Sequence, residues 1–197
     1  MILRIKAETV FEERIIAILA EGFGLKRYNH IMGVVEVAEK MAKREGASSE
    51  KARIAALLHD YAKNCPEEEL LEIISDGHWS VDQVELEIPE LLHAPASACL
   101  AEKEFGISDQ GILEAIRFHT IGNPEMGKLA KIIYVADYIE PFRDFPGLES
   151  VREMSLRGLE LAIIAICNNT IKYNIARGRI IHPNTLELRN SYLRRKF

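Results

Sequence analysis

His59 and Asp60 stand side by side at the end of an apolar helical run. An imidazole and a carboxylate leaving a buried helix together need a partner, because an unpaired buried charge costs several kcal/mol. A divalent metal ion is the usual partner. His30, His93, His119 and Asp137 are the other residues of metal-binding type at matching places. Four imidazoles and two carboxylates are about enough for two ions with open positions.

Helical spacing places these groups inward. His30 shares a stripe with Val34, Val37 and Met41, and His59 continues Ala52, Ala55 and Ala56. His119 continues Ile112, Ala115 and Ile116, and Asp137 continues Leu129, Ile133 and Ala136. Each polar group therefore points where its apolar neighbours point, near a helix end where a buried face can open into a cleft. His93, at the start of a helix beside Pro95, carries less of this signal. A single histidine on an apolar stripe is most often a hydrogen-bonded core residue. Several in one small protein would each need a private partner, whereas one shared metal site satisfies them all.

The elements that must hold these residues read as helices throughout: 8–20, 28–45, 49–63 behind a Ser48 cap, a short one from Pro66 to about Ser75, 92–105, 109–119, 125–141, 148–176 and 185–196. Gly22, Gly24, Gly46, Gly106 and Gly178 read as stops, and Asn184 or Thr185 as the last cap. Residues 76–90 are the least regular. No alternating run demands a strand, so the fold class is all-α, a multi-helix bundle. At 197 residues the chain suits one domain over 1–197. Its motif core is at about 25–145, and the helices of 148–196 belong to the same unit.

Composition narrows the function. A net charge of −5 argues against a general nucleic-acid binder, and the basic tail of Tyr192, Arg194, Arg195 and Lys196 is too short to change that. Cys65, Cys99 and Cys167 form no CxxC, which suits a reduced cytoplasmic chain without a thiolate zinc site. The start, Met1 to Lys6, lacks the pattern of a signal peptide. The most apolar stretch, Leu159 to Cys167, is too short to span a membrane. The run 148–176 has more apolar positions than one face needs, which suits either homodimerisation or a larger core.

More specific strings surround the candidate ligands: Arg27-Tyr28-Asn29-His30, Leu57-Leu58-His59-Asp60-Tyr61-Ala62-Lys63, His119-Thr120-Ile121-Gly122, Ala136-Asp137-Tyr138-Ile139-Glu140-Pro141-Phe142-Arg143 and Ile181-His182-Pro183-Asn184-Thr185-Leu186. Together they resemble the YqeK subfamily of HD-domain metal phosphohydrolases, over most of residues 25–193. Ala94 follows His93 where this subfamily carries Gly, which bears on a turn more than on a ligand. The resemblance implies an all-helical HD bundle with a buried dinuclear site, two divalent transition-metal ions, iron by this resemblance. It also implies symmetrical hydrolysis of diadenosine tetraphosphate, and related dinucleoside polyphosphates, to two nucleoside diphosphates. The donor types themselves suit iron, manganese or zinc alike.

Within that expectation, His30, His59, Asp60 and Asp137 hold one ion, and Asp60, His93 and His119 hold the other, with Asp60 bridging. Metals there would acidify a water and hold the charge that builds on phosphorus. Lys63, at i+3 from Asp60, shares its face and joins Asp60 in the catalytic set. Arg27, Lys63, Thr120, Gly122 and Arg143 are the expected phosphate contacts. A solvated surface charge is the ordinary fate of Lys and Arg; their placement beside three ligands argues for phosphate. Gly122-Asn123-Pro124 also reads as a plain turn. His78 beside Trp79 reads as loop packing, His182 as the entry to the last helix, and Glu85, Glu87 and Glu90 as a solvated acidic face. The rival functions are an HD nucleotidase acting on mononucleotides and a non-catalytic nucleotide-binding sensor.

Overall fold

The structure, a computed structural model, describes residues 9–194. The expected helix start at residue 8, the first six residues, and Arg195 and Lys196 of the basic tail lie outside the described residues.

The described residues form helices α1 (Val10–Gly22), α2 (Leu25–Glu45), α3 (Ser49–Leu58), α4 (Glu67–Asp76), α5 (Gln83–Glu87), α6 (His93–Phe105), α7 (Gln110–Arg117), α8 (Lys128–Ile139), α9 (Leu148–Arg157), α10 (Leu159–Ala176) and α11 (Pro183–Arg194). A 3-10 turn, Pro89–Leu91, precedes α6. No strand occurs among the described residues. Local chemistry sets several starts. The Thr9, Ser48 and Asp109 side chains each accept a backbone N–H from the first turn of α1, α3 and α7.

One apolar core draws on α1 to α3 and α6 to α11, from Ile15 and Leu19 to Leu188 and Tyr192. A smaller cluster of Ala62, Leu70, Ile74, Leu92, Ala96 and Leu100 seats α4. Helix α2 packs mainly on α3 and α8, and α7 joins both α6 and α8. These five helices bring the His30, His59, His93, His119 and Asp137 positions to one place. On α1 to α3 a buried ion-pair group fixes the layout: Arg53 Nη2 donates to Glu12 at 2.9 Å and Nη1 to Glu39 at 3.0 Å.

Several expectations are corrected. Helix α3 ends at Leu58, not 63; residues 59–65 run as tight turns, with Lys63 N donating to Asp60 O at 2.9 Å. The run 148–176 is two helices, interrupted at Gly158, whose φ of 152° and ψ of 151° no helix permits. Gly22 is the last residue of α1, as expected, whereas Gly24 caps the start of α2 rather than ending α1. The irregular stretch contains α5, started by Asp82 in a reciprocal cap with Glu85. Glu85 is not on a solvated face: it is 1% exposed and accepts from Arg117 Nη2 at 2.7 Å. Helix α11 begins at Pro183, and its cap is His182, whose Nδ1 accepts the Asn184 N–H at 3.1 Å.

Candidate metal centre

Three of the imidazoles are set by one local device. Each sits just past a helical segment and lies against the carbonyl three residues before it. The Nδ1–O distance is 2.7 Å for His59 to Ala56, 2.7 Å for His93 to Glu90 and 2.8 Å for His119 to Ile116. A carbonyl can only accept, so Nδ1 carries the proton and donates it. Nε2 is left as a bare lone pair. His30, inside α2, reaches the same tautomer differently, with Nδ1 donating to the Glu140 carboxylate at 3.1 Å.

The four lone pairs converge. His30 Nε2 and His59 Nε2 are 3.3 Å apart, and His93 Nε2 and His119 Nε2 are 3.1 Å apart. Asp60 lies between the two pairs. Its Oδ2 is 3.5 Å from both His30 and His59, and its Oδ1 is 3.1 Å from His93 and 3.5 Å from His119. Asp137 Oδ1 adds to the first pair, 3.2 Å from His30 and 3.8 Å from His59. Lone pairs and anions packed this closely repel unless a cation sits among them. Two groups of donors, joined by the two oxygens of one aspartate, fit a pair of divalent ions.

The electrostatics say the same. Burial pushes the His59 pKa down to about 3, against the pull of Asp60, so this ring is neutral. Burial also lowers His93. His30 resists burial: hydrogen bonds to Asp137, Asp60 and Glu140 carry it up to about 10. Burial alone would raise Asp60 and Asp137. The imidazoles, His59 first, hold Asp60 well below the usual carboxylate range, and Arg143 does the same for Asp137. The carboxylates are therefore charged at any ordinary pH, and the centre draws a proton onto His30 when no stronger cation is present.

The expected phosphate contacts divide. Arg27 pairs with Asp60 Oδ2, and Arg143 Nη2 donates to Asp137 Oδ1 at 2.6 Å. Each guanidinium has further donors, and Arg143 Nε is buried without a hydrogen-bond partner. Lys63 Nζ lies 3.1 and 3.3 Å from the two ring nitrogens of His93. Burial holds its pKa below the ordinary lysine value. Arg27, Lys63, Thr120 and Arg143 all line a cavity of about 220 Å³ over Asp60, His93, His119 and Asp137. The Thr120 hydroxyl is buried and has no hydrogen-bond partner. Gly122 is not brought to this cavity. Its N–H donates to Phe118 O at 2.9 Å, its φ is +68°, and a Cβ there would stand 2.4 Å from Leu188 Cδ2. It is glycine because it turns the chain against α11.

Glu140 is the residue sequence reasoning missed. Its Oε1 accepts from His30, while its Oε2 accepts the Phe142 N–H at 2.6 Å, so one buried carboxylate ties a candidate ligand to the turn carrying Arg143. Arg152 of α9 secures the same turn, donating to Ile139 O, Glu140 O and Arg143 O. An acid directly before a proline at a helix end was the available signal for Glu140.

A third gathering of Asp82, Glu85 and His182 resembles a metal site only in composition. His182 Nδ1 accepts the Asn184 N–H, so its Nε2 bears the proton and faces Asp82 Oδ2 at 3.0 Å. Arg117 already supplies the cation to Glu85. This group clasps the start of α11 to the start of α5.

Residues 27–141 match the HD domain model. The chain belongs to the HD domain family. It is 45% identical to the symmetrical bis(5'-nucleosyl)-tetraphosphatase of Bacillus subtilis strain 168, over 81% of this chain and 85% of that one. To the Staphylococcus aureus protein of the same name it is 34% identical, over 85% and 87%. A crystal structure from Clostridium acetobutylicum, of an HD superfamily hydrolase ascribed to NAD metabolism, superposes with a TM-score of 0.89 at 41% identity. That match covers 93% of this chain and 97% of that one. No helix among the described residues is long and apolar enough to cross a membrane.

Proposed function

We propose that this chain hydrolyses dinucleoside tetraphosphates, diadenosine tetraphosphate above all, symmetrically into two nucleoside diphosphates. The observation that carries the reading is the convergence of four imidazole Nε2 atoms on the two oxygens of Asp60, under a cavity rimmed by Lys63, Arg27 and Arg143. The names borne by the Bacillus and Staphylococcus relatives support the substrate.

His30, His59, Asp60 and Asp137 would hold one ion, and Asp60, His93 and His119 the other; the mixed donors suit iron, and accommodate manganese or zinc. When bound, such ions acidify water and offset charge on phosphoryl oxygens. The chain's own residues do the rest. Glu140 and the three backbone carbonyls keep each imidazole in the tautomer whose free Nε2 faces the centre. Arg27 and Arg143 receive phosphate oxygens on one side of Asp60, and Lys63 and Thr120 on the other. The water oxygen bonds to an inner phosphorus while the bridging P–O bond opposite it breaks. A nucleoside diphosphate then leaves as a stable anion, so no strong general acid is needed. Three free thiols accord with a reducing, cytoplasmic setting.

Metal-loaded protein incubated with diadenosine tetraphosphate in heavy-oxygen water tests this. The expected products are two ADP, one labelled. Equimolar AMP and ATP would overturn symmetrical cleavage. Hydrolysis of mononucleotides to nucleoside and phosphate, with the tetraphosphate untouched, would favour the nucleotidase reading.

A further inference from the structure

A substrate with two nucleosides cannot fit within a 220 Å³ cavity, so each half must leave it along the surface. A groove of about 760 Å³ opens from the same rim, between the start of α2 and the turn at 140–146. It shares Arg27 and Arg143 with the cavity and reaches His30 at its inner end. We propose that this groove seats one of the two nucleosides, with its base stacked on Phe142 and its phosphates passing Arg27 and Arg143. This assignment rests on the dinucleoside reading above.

Phe142 is 46% exposed and Leu25, in the same groove, is 54% exposed, large apolar side chains that the fold itself leaves uncovered. Yet Phe142 is firmly placed. Its N–H is held by Glu140, and the ring rests on α2 where Gly33 has no side chain: a Cβ there would stand 3.1 Å from Phe142 Cδ2. Arg152 holds the carbonyls on either side. An aromatic ring fixed from behind and open in front is what a nucleobase stacks on, whatever its identity. Lys26 adds a third cation along the groove, in line with an anionic tether. A second groove, of about 790 Å³, leaves Arg143 on its other side past Tyr138 and Tyr173. There the Tyr173 ring already carries the Arg177 guanidinium, 3.8 Å from its centroid. The Phe142 groove is thus the better stacking seat of the two.

The test compares diadenosine tetraphosphate with inorganic tetraphosphate, which keeps the four phosphates and drops both nucleosides. The readout is the ratio of their kcat/KM values. Phe142→Ala should lower that ratio about tenfold, as loss of one base–aromatic stack implies. Leu25→Ala should lower it in the same direction, and Phe142→Trp should keep it. Tyr173→Ala, in the other groove, should leave it as in the wild type. An unchanged ratio in Phe142→Ala overturns the seat, as does a ratio that falls only in Tyr173→Ala. A wild-type ratio near one overturns it too, since no nucleoside is then being read. Wild-type protein that leaves diadenosine tetraphosphate intact overturns instead the dinucleoside reading beneath it.

Discussion

Replacing Glu140 by glutamine changes almost no volume and removes one acceptor. The carboxylate now takes two donors, His30 Nδ1–H at 3.1 Å and Phe142 N–H at 2.6 Å. A glutamine has one carbonyl oxygen for the two. If that oxygen stays with Phe142, the amide NH2 faces His30, whose proton must then move to Nε2. That nitrogen is 3.2 Å from Asp137 and 3.3 Å from His59, so a lone pair at the centre is lost. If the oxygen instead stays with His30, the Phe142 N–H is buried against another donor and the turn bearing Arg143 loosens. An unsatisfied buried donor costs about 1–3 kcal/mol, and removal of an outer partner of a ligating histidine typically weakens metal affinity about 10–100-fold. Titration calorimetry of the metal-stripped protein, with circular dichroism as a control for helix content, measures the effect. Glu140→Gln should bind metal at least tenfold more weakly with its helices intact. Wild-type affinity together with wild-type turnover would refute the tautomer argument.

Three further outcomes are expected. Asp60→Ala removes the only carboxylate common to both donor groups, so elemental analysis should show the loss of both ions and activity should fall furthest; a deficit no greater than that of a surface substitution would contradict the bridging assignment. Lys63→Ala and Arg143→Ala each delete a cation lining the cavity. A charge-assisted bond contributes about 1.5–3 kcal/mol, so kcat/KM should drop tenfold or more at unchanged metal content, and unaffected kinetics in both would put the substrate on the wrong side of Asp60. Gly122→Ala places a Cβ 2.4 Å from Leu188 at a φ of +68°; denaturant unfolding should show about 1–3 kcal/mol of lost stability, and a midpoint like the wild type's would mean that α11 shifts freely.

The helical framework was legible because apolar spacing repeats over long stretches, and the His30, His59, His119 and Asp137 stripes do face one place. What the spacing hid had non-local causes. Glu85 reads as part of an acidic face with Glu87 and Glu90 until Arg117, 32 residues away, takes its carboxylate inside. The break at Gly158 is silent in a run whose apolar residues continue on both sides. Residues 59–63 have helical composition, and only the structure shows them as tight turns, with Tyr61 N–H already bonded to Leu58 O. Glu140 was in view in its motif, but its role needs His30, 110 residues before it.

The two histidine gatherings show why composition alone cannot identify a metal site. Both join histidine to carboxylates within ligand reach. At His182 the local backbone offers a donor, the Asn184 N–H at a helix start, and this claims Nδ1 and leaves the proton on Nε2. At His59, His93 and His119 the local backbone offers acceptors, the carbonyls of a segment that has just ended. The two ends of a helix expose opposite groups, so a histidine before a helix and one after it present opposite faces of the imidazole to whatever lies beyond. The first kind turns its N–H toward a carboxylate, as His182 Nε2 faces Asp82. The second kind turns a bare nitrogen outward, and where three such nitrogens meet His30 around one aspartate only a cation satisfies them. His93 opens α6, yet it is the 3-10 turn before it that supplies the carbonyl and sets its tautomer.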